Sequence, residues 1–399
     1  MTLRIDHVTQ HGMGRAGDQL IPRTLPGEEV DLLPDGSARI VTPSPQRVAP
    51  PCRHFRQCGG CAMQHARDDF VAGWKAGIVA RALAGQGLDA AITGVLTSDP
   101  RSRRRAKLAG RRTKGGALVG FHARASDQIV AVPECQLLEP ALQDLLPALE
   151  ALTMLAASRS SEVALTVTAT QNGADIMVEG GRALTPDLRR DLAGWAIGAG
   201  VARLVWGPDL VALNLPPSQH MGRATVIPPP GAFLQATLQG QAALVDLVRR
   251  GIGPASRVLD LFAGCGTFAL PLAETAAVHA VEGDAAMLEA LAHGWRNATG
   301  LRRVTTEARD LFRRPLLPAE LARHDAAVID PPRAGAEAQM RELAASAIPT
   351  LMMVSCNPVT FARDARILTK GGYRIGPVTV VDQFRWSTHV ECVSRFTRA

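Results

Sequence analysis

The chain has 399 residues, 20% charged and 46% hydrophobic, which is enough for two or three cored domains and too apolar for a disordered protein. No stretch approaches about 18 unbroken apolar residues and the start carries no apolar leader, so neither a spanning helix nor an export signal is expected and the cytoplasm is. A net charge of +7 points to a polyanionic partner such as nucleic acid, and seven cysteines, an odd number, argue for thiol or metal chemistry over a disulfide framework.

Residues 1–50 contain short extended runs ("LRIDHV", "EEVDLL", "ARIVT") punctuated by Gly and Pro, as in a small β-rich unit. "TPSPQRVAPP" is a Pro-rich linker. Residues 51–230 read as a mixed α+β domain, with strands at "GALVGFHA", "DQIVAV", "VALTVTAT" and "ADIMVEG" and a helix at "ALQDLLPALEALTMLAAS". From 231 to 399 apolar strands ("SRVLDLFAG", "AVHAVEGD", "HDAAVIDPPR", "PTLMMVSCNP") alternate with helical patterns. That alternation predicts an α/β doubly wound parallel sheet, and the close pair "YRIGPVTVVD" and "HVECVSRFT" predicts an antiparallel hairpin at its edge.

In "LDLFAGCGTF" Gly264 and Gly266 sit where a strand turns into a helix, which lets a ligand approach the backbone. The third glycine of a dinucleotide site and the lysine of a P-loop are both missing. Asp260 and the strand-ending Glu282 add carboxylates able to accept ribose hydroxyls, and the set resembles the S-adenosylmethionine (SAM) site of class I methyltransferases. Asp330-Pro331-Pro332-Arg333 ends the next strand but one at the same edge, the prolines fixing an extended rim.

Cys356 closes another apolar strand. Asn357 suits an N-cap and Pro358 the first helical position, so the thiol precedes a helix N-terminus whose partial positive charge favours a thiolate. From position alone it is either a buried filler or a nucleophile. Methylation at C5 of a pyrimidine needs a thiolate to add at C6 and a base to remove the C5 proton, and the last strand offers His389 and Glu391.

The segments "CRHFRQCGGCAMQH", "LDLFAGCGTFALPLA", "DPPRAG", "SCNPVTFARD" and "THVEC" occur in the order found in RNA uracil-C5 methyltransferases, and from residue 52 to the C-terminus the chain resembles that family. The resemblance implies Cys356 as nucleophile, Glu391 as base, and SAM contacts at Gln235, Phe262, Thr267, Glu282, Asp310 and Asp330. Ala263 and Thr267 depart from the family's usual loop, and Arg385-Trp386 replaces a Pro-His pair, which points to an altered substrate fit. Residues 1–50 resemble, more distantly, a TRAM-type RNA-binding barrel.

Cys52, Cys58, Cys61 and the distant Cys135 supply four thiolates, a number that both zinc and an iron–sulfur cluster accept. The resemblance implies a [4Fe–4S] cluster on these four and, with it, the 23S rRNA branch of the family. His54 and His65 are read as structural. "RSRRRAKLAGRRTK" holds eight basic and no acidic residues and is expected to face RNA phosphates. The expected function is SAM-dependent C5-methylation of a 23S rRNA uridine, with no obligate protein partner. A tRNA uracil-C5 methyltransferase and a non-catalytic RNA-binding ribosome-assembly factor are the alternatives.

Overall fold

The computed structural model describes residues 2–34 and 36–398. The strand–helix alternation of the C-terminal part builds an eight-stranded sheet. Its order is Val304–Ala308, Ala277–Glu282, Arg257–Leu261, Ala326–Ile329, Thr350–Ser355, Glu391–Arg398, Tyr373–Asp382 and Ile92–Thr97. The first five strands are parallel. The chain winds outward from Arg257–Leu261 in one direction and then returns to its other side, so a crevice opens at the carboxyl ends of the central strands.

Both faces of this sheet are covered, as nearly continuous apolar strands require. Helices Asp68–Gly85, Glu337–Ala345 and Pro358–Lys370 bury one face with Leu259, Ile329, Leu351 and Phe361 in the core. Helices Leu238–Ile252 and Ala285–Asn297 bury the other around Val258, Ala280, Val328 and Val354.

The expected hairpin forms, but not at the edge. Glu391–Arg398 inserts antiparallel between Thr350–Ser355 and Tyr373–Asp382, and Ile92–Thr97 then pairs in parallel outside it. That outermost strand and helix Asp68–Gly85 come from the stretch expected to belong to the central domain. A short strand containing Gly94 carries a weak sequence signal, and only pairing with Tyr373–Asp382 gives it form. Lys75 on the helix and Asp382 at the strand end, both enclosed, form an ion pair at 2.5 Å.

A second, seven-stranded sheet runs Ile129–Ala131, Gly116–His122, Arg105–Thr113, Glu162–Thr170, Gly173–Glu179, Val201–Trp206 and Asp209–Leu213, packed by helices Leu146–Ala156 and Pro186–Gly198. Arg104, 1% exposed, fastens it to the segment leading into helix Leu238–Ile252. Its guanidinium donates to the Gln235 carbonyl, Gln219 Oε1 and Gln241 Oε1. The basic run is therefore not a uniform phosphate-facing stripe. Strand pairing also brings Glu162 to Arg111 at 2.8 Å and Glu179 to Lys107 at 2.9 Å, neutralisation that a local reading of the run does not see. Residues 2–42 form two small three-stranded antiparallel sheets.

Candidate active site

The turn after Arg257–Leu261 is built by backbone conformations that few side chains tolerate. Phe262, Gly264 and Gly266 have φ of +61°, +54° and +94°. At Gly266 a Cβ would also press on Leu270 and Leu291 at 2.9 Å, so the turn needs glycine for space as well as for angle. Glu282 organises the loop from the next strand. Its carboxylate accepts N–H groups from Gly264 at 3.0 Å, Gly283 at 2.7 Å and Asp284 at 3.0 Å.

These elements wall a cavity of about 740 Å³ at the strand ends. Gln235, Phe262, Thr267, Glu282, Asp310, Asp330, Cys356 and Glu391 all line it, so the nucleophile, base and SAM contacts implied by the resemblance face one space. Asp260 does not line it. It is buried beneath the loop, where desolvation first and Asp330 second hold its carboxyl far above the usual range. Asp310 accepts the N–H groups of Phe312 and Arg313, which shapes a turn that presents Phe312. Phe312 and Phe262 stand 5.4 Å apart, and with the exposed Phe233 they give the cavity an aromatic wall. Phe233 and Phe312 escape a sequence reading because exposed phenylalanines in loops carry no periodicity.

Asn357 caps helix Pro358–Lys370 by accepting the Val359 N–H at 3.1 Å. The helix end is not the only influence on Cys356. Burial first, then Glu391 and Asp330, push its thiol up to about 11, and Arg333 offsets part of this. Burial and two neighbouring carboxyls act against the capped terminus. Glu391 itself is fully enclosed and raised well above an ordinary glutamate by burial and then by Asp330, while a hydrogen bond from Gln383 opposes the shift. Asp330 is raised by burial, against a hydrogen bond from Gln235 Nε2 at 3.2 Å. His389 lines the cavity and is held neutral by burial and by the cations Arg333 and Arg103. Arg385 and Trp386 meet Asp68 through the guanidinium and the indole N–H.

Cys52, Cys58, Cys61 and Cys135 converge on a separate small cavity walled by Phe55, Phe121, Val132 and Leu137. Burial raises the thiols of Cys58 and Cys135, and that of Cys61 to about 12. The Gly60 N–H points at Cys58 Sγ and the Leu137 N–H at Cys135 Sγ, at 3.3 and 3.4 Å. Among the described residues no three His, Cys, Asp or Glu side chains meet at the spacing of one ion's ligands. Four soft donors around an apolar space, with N–H groups aimed at sulfur, fit a multinuclear group. His54 and His65 lie outside this lining, and His65 stacks on Phe55 at 5.6 Å.

A family profile described as tRNA (Uracil-5-)-methyltransferase matches residues 244–398. An uncharacterized RNA methyltransferase of Brucella suis is 43% identical over 98% of this chain and 97% of its own. The 23S rRNA (uracil(1939)-C(5))-methyltransferase RlmD of Chromohalobacter salexigens is 33% identical over 99% of this chain and 89% of its own. The crystal structure of Pyrococcus abyssi tRNA (uracil-54, C5)-methyltransferase with S-adenosyl-L-homocysteine shares the fold at a TM-score of 0.74. Its identity is 21%, with 100% of this chain and 99% of that one covered. With its class I fold and this kinship along nearly its whole length, the chain belongs to the SAM-dependent RNA (uracil-5-)-methyltransferase family.

Proposed function

We propose that the protein methylates C5 of a uridine in 23S rRNA, with Cys356 as nucleophile and Glu391 as base. The observation that carries this reading is the meeting of a strand-end thiol, a buried carboxyl and the glycine turn around one cavity. SAM, held by Gln235, Phe262, Thr267, Glu282, Asp310 and Asp330, would supply the methyl group and a positive sulfonium beside the carboxylates. Cys356 reacts as its thiolate, the thiol proton having passed to water; Sγ adds to C6 of a uridine extruded from its stack, and the C5–C6 π pair moves to C5, which then takes the methyl group. Glu391 then removes the C5 proton. The freed pair restores the C5–C6 double bond and expels Cys356 as thiolate.

The four-cysteine cavity is proposed to hold a [4Fe–4S] cluster, a rigid staple tying residues 52–61 to Cys135. The kinship with a 23S rRNA enzyme over 99% of the chain supports the rRNA target. The structural likeness to a tRNA enzyme keeps tRNA as the second reading. No helix among the described residues is long and apolar enough to cross a membrane, which accords with the proposed cytoplasmic site of action.

Mapping 5-methyluridine in 23S rRNA and tRNA with and without the gene decides the target. A loss confined to tRNA overturns the rRNA assignment. RNA carrying 5-fluorouridine at the target should trap the wild-type protein covalently, because fluorine blocks the last proton removal. An undiminished adduct with Cys356→Ala removes that thiol from the mechanism.

A further inference from the structure

Gln383, 2% exposed, follows strand Tyr373–Asp382 and belongs to none of the motifs that mark the site. Its amide is held in one orientation. Oε1 accepts the main-chain N–H of Ala236 at 2.7 Å, and a main-chain N–H can only donate. The NH2 group therefore faces the other way, with one hydrogen for Gln235 Oε1 at 2.5 Å and one for Glu391 Oε2 at 3.1 Å. Gln235 is fixed in turn. Its oxygen is taken, so its nitrogen is the group that meets Asp330 Oδ2 at 3.2 Å. A directed set of hydrogen bonds thus ties the two buried carboxyls to one backbone donor.

We propose that Gln383 is a positioning residue that commits Oε2 of Glu391 to the protein and leaves Oε1 as the atom that takes the C5 proton. This rests on the reading of Glu391 as base. Both Gln383 hydrogens are spent, so a proton on Oε2 would face another N–H with no acceptor. The bond from Gln383 is the one side-chain hydrogen bond Glu391 makes among the described residues, and Glu391 lines the cavity. When Oε1 takes the proton, the C5–H pair becomes the C5–C6 double bond, the C6–Sγ bond breaks and Cys356 departs with its electrons. Gln383 also favours the ionised carboxylate, against burial and Asp330, which together hold the carboxyl well above the ordinary range.

The test is single-turnover methylation of a 23S rRNA transcript with methyl-labelled SAM, resolving covalent RNA–protein adduct from released 5-methyluridine RNA. Gln383→Met keeps the volume and removes the donor. It should form methylated adduct within about two-fold of the wild-type rate and release product roughly 10- to 100-fold more slowly, the range expected for a lost hydrogen bond to a charged group. Labelled adduct then accumulates, and the pH at which release becomes fast moves upward. A purely structural role would slow formation and release together, and that result overturns the proposal, as does wild-type release. Should Gln383→Met lose S-adenosylhomocysteine binding, Gln383→Asn, one methylene short of Glu391, must show the same delayed release. A wild-type protein that forms no adduct with the 5-fluorouridine transcript overturns the Cys356 and Glu391 reading itself, a result separable from any behaviour of Gln383.

Discussion

The cavity around Cys356 and the cavity shared by Cys52, Cys58, Cys61 and Cys135 both hold buried cysteines, and their neighbours separate them. Cys356 is a single thiol beside Glu391 and Asp330, opening on a space of about 740 Å³ with aromatic walls. Loss of its proton is opposed by groups that can themselves exchange protons, which suits a bond that must form and break. The other four thiols have apolar walls, backbone N–H donors and one another. Nothing there moves a proton, and the arrangement suits holding a group in place. One loop touches both. Phe384 and His389 line the first cavity, while the Trp386 carbonyl between them accepts N–H groups of Ala62 and Met63, directly after Cys61, at 2.7 and 2.9 Å. The cysteine knuckle thus grips the loop that forms the wall of the proposed uridine pocket.

The widest split between the two cavities is expected from paired cysteine substitutions. Cys356→Ala should lower single-turnover methylation at least ~10⁴-fold, as loss of a covalent nucleophile does, with SAM binding retained. Cys61→Ala should instead lower iron and sulfide content while folded molecules still form the 5-fluorouridine adduct. Folded Cys61→Ala protein with full metal and no adduct would erase the distinction between the two cavities.

Lys75→Met addresses the frame that both cavities share. The Lys75 ammonium, whose pKa is lowered by burial and partly restored by Asp382, pairs with Asp382 and donates to the Phe384 carbonyl at 3.0 Å. Removing it leaves a buried carboxylate with the Phe384 N–H at 3.1 Å but no cation, at a cost of about 3–5 kcal/mol. Denaturant unfolding should report that loss, and a change below 1 kcal/mol would mean that water reaches Asp382.

Alkylation of Cys356 measures what the carboxylates do. Below its pKa a thiol is neutral, so a thiol raised to about 11 should react roughly 300-fold more slowly at pH 7 than an ordinary cysteine near ~8.5. The rate should climb about tenfold per pH unit and level off only near 11. Mass spectrometry of the modified peptide across pH checks this, and a plateau below pH 9 would restore the helix terminus as the dominant influence.

What the sequence disclosed followed the range of each interaction. Gly264, Gly266, Asp330 and Cys356 are legible because turns, strand ends and caps are local and leave residue types at fixed offsets. The convergence of Cys135 on the Cys52–Cys61 segment had no such offset and came from resemblance. Gln383, the aromatic wall and strand Ile92–Thr97 were invisible because their meaning lies in partners far along the chain. The partners of Lys107 and Arg111 in the basic run were hidden for the same reason, since Glu162 and Glu179 arrive by strand pairing. Charge patterns are read along one strand, but neutralisation happens across it.

Asn357 carries the smallest predicted effect and the finest distinction. Besides capping the helix, its amide nitrogen donates to the Arg333 carbonyl at 2.9 Å, so one side chain joins the strand end bearing Cys356 to the Asp330–Arg333 rim. Asn357→Ala should cost about 1 kcal/mol of stability through the lost cap. The cap alone predicts no more than that. The rim contact adds a local consequence, because Arg333 is the cation that partly offsets Glu391 and Asp330 at the thiol. If the contact holds Arg333 near Cys356, its loss should slow alkylation of Cys356 two- to three-fold at pH 8 in protein that remains folded. An unchanged rate would assign Asn357 to global stability alone, and the cavities would differ by their carboxylates without help from the rim.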